Sequence, residues 1–144
     1  VSGPAGLIER LTVLRQLGQG WTSRLLQRLL LVLLSDPVAV VQVGASRVEY
    51  ARRRRALVDA LAGEGVTVGG SDGINIWVPV QDESAAIMLL ASQGIGVAPG
   101  APFGVRTDLP GHIRVTAGPL ADGHAEVAAQ LALAARAAGW SGVQ

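Results

Sequence analysis

The chain has 144 residues, a length that suits one compact domain with a single hydrophobic core. Hydrophobic residues make up 49% of it and charged residues 16%, a balance that excludes an intrinsically disordered tail. The absence of cysteine excludes disulfides, thiolate metal ligands and thiol nucleophiles. The net charge is only +1, whereas a domain that binds DNA mainly through its electric field is usually more basic. All 12 basic residues are arginine, so the chain has no lysine amine with which to link a carbonyl cofactor.

No targeting or membrane-spanning segment is evident in the sequence. The most apolar run, residues 25–34, contains Gln27 and Arg28 and is about half as long as the roughly 20 residues that cross a bilayer. The first residues lack the flanks of a signal peptide, and the sequence begins with Val1 instead of methionine. We therefore expect a cytoplasmic protein of which this chain is a fragment.

Three helices are predicted in the first part of the chain. Leucine, valine and alanine recur there at helical spacing, and residues that begin or end helices bound each run. The predicted bounds are Pro4 to just before Gly18, Thr22 or Ser23 (as the cap) to just before Asp36, and Asp36-Pro37 to about Ala62.

The rest of the chain alternates between strand and helix patterns. In residues 73–80 the apolar side chains fall on every second position, and Asn75 and Trp77 face the other way. Pro79 has no amide donor, so this strand ends there or lies at a sheet edge. The other predicted elements are a helix at 82–91, strands at 95–98 and 112–116, and a helix that Asp122 caps and Gly139 ends. The predicted fold class is therefore α+β, with N-terminal helices leading into a small, mainly antiparallel sheet covered by helices.

The four consecutive arginines at 52–55 invite a nucleic-acid interpretation. Successive helical residues step by about 100°, so these side chains cannot all face one groove. Two of them can pair with carboxylates at helical spacing, such as Glu49 and Asp59. A solvated or inter-domain face is therefore favoured over phosphate contact.

The usual catalytic patterns are missing. The glycines at 94–100 precede and end a predicted strand, whereas a phosphate loop follows a strand and opens a helix. His112 and His124 have no further ligand at metal-site spacing, and His124 is expected to be exposed. No serine has a G-x-S-x-G context. We therefore expect no metal site, and no catalytic residue that makes this chain an enzyme by itself.

Arg114 is a lone charge in the apolar strand at 112–116, on the face opposite Ile113 and Val115. Two interpretations remain open. The side chain can be an edge residue that extends into water. Alternatively, it is a fixed guanidinium that binds a carboxylate through two parallel hydrogen bonds.

Four segments, in this order, resemble the C-terminal small domain of aspartate aminotransferase-type (fold type I) pyridoxal-phosphate proteins. The first is a helix with a tyrosine before arginines, and the second is a glycine-led strand with a tryptophan. The third is a Gly-Val-x-Pro-Gly-x-x-Phe segment, and the fourth is an Ile-Arg-Val strand. They are Tyr50–Leu57, Asp72–Pro79, Gly96–Phe103 and Ile113–Val115.

Within that group, the second segment is most similar to the MocR subgroup of the GntR superfamily, because Asn75 stands where aminotransferase enzymes usually have an aromatic residue. MocR-type regulators join a winged helix-turn-helix DNA-binding domain to an aminotransferase-like domain that senses pyridoxal phosphate or an amino-acid-like effector. The resemblance implies that residues 1–35 are a helical lead-in from a large domain and that residues 36–144 form the small domain.

The resemblance also implies roles for particular residues. Arg114 matches the arginine that binds the α-carboxylate of a substrate or effector, and Asn75 and Trp77 would line the pocket. Pyridoxal phosphate would be held in the intact protein by residues outside this chain. DNA would be bound only by a further N-terminal domain, and the intact protein would be a homodimer. A genuine pyridoxal-phosphate-dependent aminotransferase remains the alternative, and an unrelated α+β interaction domain is a third possibility.

Overall fold

The structure is a computed structural model, and it describes residues 3–16, 18, 23–104 and 110–139. Within these residues, five α-helices and three strands follow one another, with a short 3₁₀ turn at Ala101–Phe103. The helices are α1 (Ala5–Gln16), α2 (Arg24–Ser35), α3 (Pro37–Gly63), α4 (Glu83–Ser92) and α5 (His124–Ala135), and the strands are β1 (Asn75–Pro79), β2 (Ala98–Pro99) and β3 (His112–Thr116). The predicted α+β class is confirmed.

The chain divides into two compact units, residues 1–44 and residues 45–144. In the first unit, the Ser23 hydroxyl accepts a hydrogen bond from the Leu26 amide at 3.4 Å and caps α2, as predicted. The other predicted cap, Thr22, lies outside the described residues. No residue of α1 or α2 is buried. The division of the chain at residue 35 stays a prediction.

The second unit contains a three-stranded antiparallel sheet in the order β1-β3-β2. Because successive strand residues alternate between faces, Ile76 and Val78 of β1 and Ile113 and Val115 of β3 lie on one buried face. They form the core together with apolar side chains of α3, α4 and α5, which include Leu57, Leu61, Ala86, Leu90 and Leu131. The helices therefore cover one face of the sheet and leave the opposite face for other contacts.

Local sequence patterns predicted several boundaries correctly. β3 has the predicted bounds, and β1 ends at Pro79 on a sheet edge, as expected for a residue without an amide donor. The Asp82 carboxylate caps α4 by accepting from the Ala85 amide at 2.8 Å. These features depend on residues that are close together in the sequence.

Several boundaries differ from the predictions. β1 begins at Asn75, whereas the alternating pattern predicted a strand from residue 73. The strand predicted at 95–98 is only Ala98–Pro99, because β3 offers it just two paired positions. Asp122 does not cap α5; the cap position is Gly123, whose φ of +66° turns the chain into the helix without a side-chain bond. α5 ends at Ala135, four residues before Gly139.

No single helix among the described residues is long and apolar enough to cross a membrane. The pair α2 and α3 together meets the length and composition requirements, but the two helices are bent by 79° at their junction.

Candidate functional site

The sheet face opposite the core brings the three predicted site residues together. In the β1–β3 pairing, Trp77 lies opposite Arg114 and Asn75 lies opposite Thr116. Directly paired residues of an antiparallel sheet project to the same side, and positions two apart along a strand do so as well. Arg114, Trp77 and Asn75 therefore share one face, where two strands place them as near neighbours.

Arg114 is half-buried and lies against an aromatic ring. Its guanidinium carbon is 4.3 Å from the centroid of the Phe103 ring, which is the arrangement of a cation–π contact. Its Nε is buried and has no hydrogen-bond partner among the described residues. A desolvated N–H donor without an acceptor costs free energy, so this arrangement favours a ligand that brings an acceptor.

An aromatic cluster surrounds this guanidinium. The Trp77 ring meets the Phe103 ring edge-on, with centroids 6.0 Å apart and planes at 77°. It also meets the His112 ring at 6.4 Å and 75°. Both geometries are the preferred edge-to-face type. Trp77 is still 39% exposed and Phe103 is 50% exposed, so the cluster forms a wall that a ligand can reach.

Asn75 is fixed by two different contacts. Its Oδ1 accepts a hydrogen bond from the Thr116 hydroxyl at 2.9 Å. Its backbone carbonyl accepts one from Nη1 of Arg54 at 2.7 Å. Nδ2 donates no hydrogen bond within the described part of the chain, so it can serve as a donor at the edge of this face.

Phe103 is the last residue of the Gly-Val-x-Pro-Gly-x-x-Phe segment, and the sequence gives no indication of its contact with Arg114. Its position over Arg114 depends on the turn at Ala101–Phe103. The sequence pattern of this turn does not reveal that the turn lies next to β3. Glu83 was also missed: its two carboxylate oxygens accept from the amides of Ala101 and His112. The only sequence indication was an acidic residue in the first turn of a helix, which is common.

The arginine run is only partly a solvated face. Arg52 and Arg53 both pair with Glu49, at 2.8 and 2.7 Å, as the helical spacing predicted. Arg53 also donates to the Gly118 carbonyl at 2.6 Å. Arg54 is only 4% exposed, and this corrects the expectation for that position. Long-range contacts with backbone carbonyls hold it inside, and helical spacing cannot reveal them.

An open groove of about 670 Å³ lies beside α3, away from Arg114. Because Arg52 and Arg53 donate hydrogen bonds to its carboxylate, the pKa of Glu49 in this groove falls to about 2. None of the three predicted site residues lines the groove. The lining residues are Ala45, Ser46, Glu49, Tyr50, Arg53, Ile74, Thr116, Gly118 and Pro119.

His112 and His124 do not belong to a cluster of three or more potential metal ligands within the described residues. His124 is half-buried, and its Nε2 is buried without a partner there, so the expectation that it is exposed was wrong. The start of α5 at His124, with Gly123 as the cap residue, draws the ring toward the protein.

The chain lacks the amine to which pyridoxal phosphate is linked in proteins that hold it covalently. That amine belongs to a lysine, and the sequence contains no lysine. Within the described residues, the Arg114 guanidinium lies beside an aromatic wall and can bind one carboxylate group.

The family model for aminotransferase class I and II matches residues 2–131. The chain belongs to that family. It is 36% identical over 107 residues to the vitamin B6 salvage pathway transcriptional repressor PtsJ of Salmonella typhimurium strain LT2. That match covers 73% of this chain and 24% of PtsJ.

A crystal structure described as that of an aminotransferase from Burkholderia pseudomallei K96243 is also similar. Its sequence identity is 28% and its TM-score is 0.47, over 60% of this chain and 25% of that one. The chain thus spans about a quarter of the length of both proteins. The family model and the similarity to PtsJ confirm the resemblance to aminotransferase-like proteins that the four sequence segments indicated.

Proposed function

We propose that this chain is the C-terminal domain of a pyridoxal-phosphate-binding regulator of the GntR/MocR type, and that it closes over an effector whose carboxylate binds Arg114. The observation that carries the proposal is the buried Nε of Arg114, which has no acceptor in the part of the chain that the structure describes, while the guanidinium is held against Phe103. The similarity to a transcriptional repressor of vitamin B6 salvage supports the regulatory part.

The geometry suits a carboxylate for a physical reason. A guanidinium presents parallel N–H donors that match the two oxygens of a carboxylate, and a neighbouring low-polarity wall strengthens such a bond. Phe103 and Trp77 supply that wall. Asn75, two positions before Trp77 on the same face, can donate to a further polar group of the ligand. Together these residues bind and orient a small carboxylate and exclude water from one side of it.

Closure over the ligand would carry the regulatory information. A small domain that moves against a large one is a hinge motion, and a ligand that binds only the closed form shifts the equilibrium toward that form. Pyridoxal phosphate, held by residues outside this chain, would supply an electrophilic aldehyde next to the effector. In this proposal the protein is a cytoplasmic homodimer that contacts DNA through a separate domain.

The carboxylate assignment is tested by the variant Arg114→Ala in the full-length protein. We expect the dissociation constant of L-alanine, measured by isothermal titration, to rise about 10- to 100-fold, because a hydrogen-bonded charge is removed. Arg52→Ala is the matched control, since Arg52 is exposed and its one partner among the described residues is Glu49. An unchanged affinity in Arg114→Ala would exclude the assignment.

A second experiment separates the regulator from the enzyme. The family description favours an aminotransferase as the alternative, and the same closure over Arg114 would then orient a substrate and exclude water from the reacting groups. We expect the full-length protein to bind operator DNA with an affinity that pyridoxal phosphate changes. Amino-group transfer from L-alanine to a keto acid, with no DNA binding, would favour the aminotransferase.

A further inference from the structure

Glu83, the first residue of α4, connects the two segments that meet at Arg114. Its Oε2 accepts a hydrogen bond from the backbone amide of Ala101 at 3.2 Å. Its Oε1 accepts one from the backbone amide of His112 at 3.1 Å. Ala101 begins the turn that ends in Phe103, and His112 begins the strand that contains Arg114. The Glu83 carboxylate thus links the turn that carries the Phe103 ring to the strand that carries the Arg114 guanidinium.

Phe103 and Arg114 each lie two residues from one of these anchored amides. The 4.3 Å distance between the guanidinium carbon of Arg114 and the centroid of the Phe103 ring therefore depends on a short series of contacts that passes through Glu83. The Gly100 amide donates to the His112 carbonyl at 2.8 Å, which is a further hydrogen bond between the same two segments. A cation–π contact weakens when the ring moves from beneath the cation, so these hydrogen bonds affect the cation–π contact between Phe103 and Arg114.

Glu83 forms no ion pair with Arg114 in the described part of the chain. The two amides engage both carboxylate oxygens of Glu83. A carboxylate that paired with Arg114 would compete with any anionic ligand. The Glu83 carboxylate instead holds two backbone amides, and Nε of Arg114 has no acceptor among the described residues.

We propose that Glu83 is a positioning residue: it fixes the Phe103 ring against the Arg114 guanidinium and thereby sets the affinity of Arg114 for a carboxylate. This inference rests on the function proposed above for Arg114. It assigns the control of that affinity to a side chain that touches neither the ligand nor the guanidinium.

The test uses the full-length protein and L-alanine as the probe. Glu83→Gln has the same size but replaces one acceptor oxygen by an NH₂ group, so one of the two amide bonds is lost. We expect the dissociation constant to rise about five- to tenfold, less than in Arg114→Ala. Glu126→Gln is the matched control: Glu126 also lies in the first turn of a helix, whereas the amides of Ala101 and His112 donate to Glu83.

A double-mutant cycle shows whether Glu83 acts through the ring. In the background of Phe103→Leu, Glu83→Gln has no ring left to position, so we expect it to cause no further loss of affinity. Additive losses would overturn the proposal, since they would indicate a general structural effect. If Glu83→Gln does not fold, Glu83→Asp takes its place, because its shorter side chain cannot reach both amides; wild-type affinity in that variant would likewise overturn the proposal.

A fluorine signal separates failure of this inference from failure of the proposed function. With 4-fluorophenylalanine at position 103, Glu83→Gln should shift or broaden the ¹⁹F resonance, and Glu126→Gln should not; an unmoved resonance refutes positioning without any ligand. If Arg114→Ala weakens L-alanine binding and Glu83→Gln does not, the positioning role is wrong and the carboxylate site stands. If Arg114→Ala has no effect, the carboxylate site is wrong, and with it the role of Glu83 in affinity.

Discussion

Arg54 is a buried charge that is balanced by backbone carbonyls. Its Nη1 donates to Asn75 at 2.7 Å, and its Nη2 donates to Gly70 at 2.8 Å and to Gly69 at 3.4 Å. These bonds fix the segment that leads into β1 against α3. A forked guanidinium can serve three carbonyls at once, which explains why arginine, and not a single ammonium group, suits this position.

We therefore expect Arg54→Met to lower the free energy of unfolding by about 2 kcal/mol, because carbonyls lose their donors while the apolar stem is kept. Arg54→Lys should recover only part of the loss. The measurement is urea unfolding at equilibrium, with Arg55→Met as the control. Arg55 is exposed, and its hydrogen bond within the described residues is to a carbonyl of its own helix. Equal losses in the two methionine variants would contradict the role of Arg54.

Glu49 gives a prediction about pH. Hydrogen bonds from Arg52 and then Arg53 lower its pKa from 4.5 to about 2. Because the pKa of Glu49 is lower in the folded state than in the unfolded state, its ionised carboxylate stabilises the folded state above pH 4.5. This stabilisation is lost as the pH falls toward 2. We expect the unfolding free energies of wild type and Glu49→Gln to differ above pH 4.5 and to converge by pH 2. A difference that persists at pH 2 would show that the ion pairs are not its cause.

The turn between β2 and Phe103 depends on one glycine. Gly100 is buried, and a Cβ there would fall on the carbonyl oxygen of His112. We expect Gly100→Ala to cost about 1–3 kcal/mol of stability through this overlap and to displace Phe103 from Arg114. Gly96→Ala is the control, because a Cβ at Gly96 meets nothing within 4 Å. Thermal unfolding of the two variants checks this: similar midpoints would show that the turn adapts.

The elements differ in how far the sequence could predict them. The bounds of β3 and the end of β1 at Pro79 follow from alternation and from a missing amide, both of which are local. The burial of Arg54 and the path from Glu83 to Phe103 depend on contacts between residues 15 to 29 positions apart. Sequence spacing carries no information about such contacts. Arg114 itself was predicted from the resemblance, whereas its aromatic partner became evident only in the structure.

For the whole molecule, the absence of lysine from this chain leads to a prediction about where pyridoxal phosphate is held. Borohydride fixes pyridoxal phosphate irreversibly to a lysine amine that has condensed with its aldehyde. Residues 1–144 offer no such amine, so the function proposed above requires a lysine outside these residues if the cofactor is held covalently.

We expect full-length protein treated with pyridoxal phosphate and borohydride to carry the pyridoxyl group on a peptide outside these residues, as located by mass spectrometry. The control is bovine serum albumin treated in parallel, which reports non-specific labelling of surface lysines. If the full-length protein is labelled no more than the control, it does not hold the cofactor through lysine. The carboxylate site at Arg114 would then have to act without a lysine-linked pyridoxal phosphate.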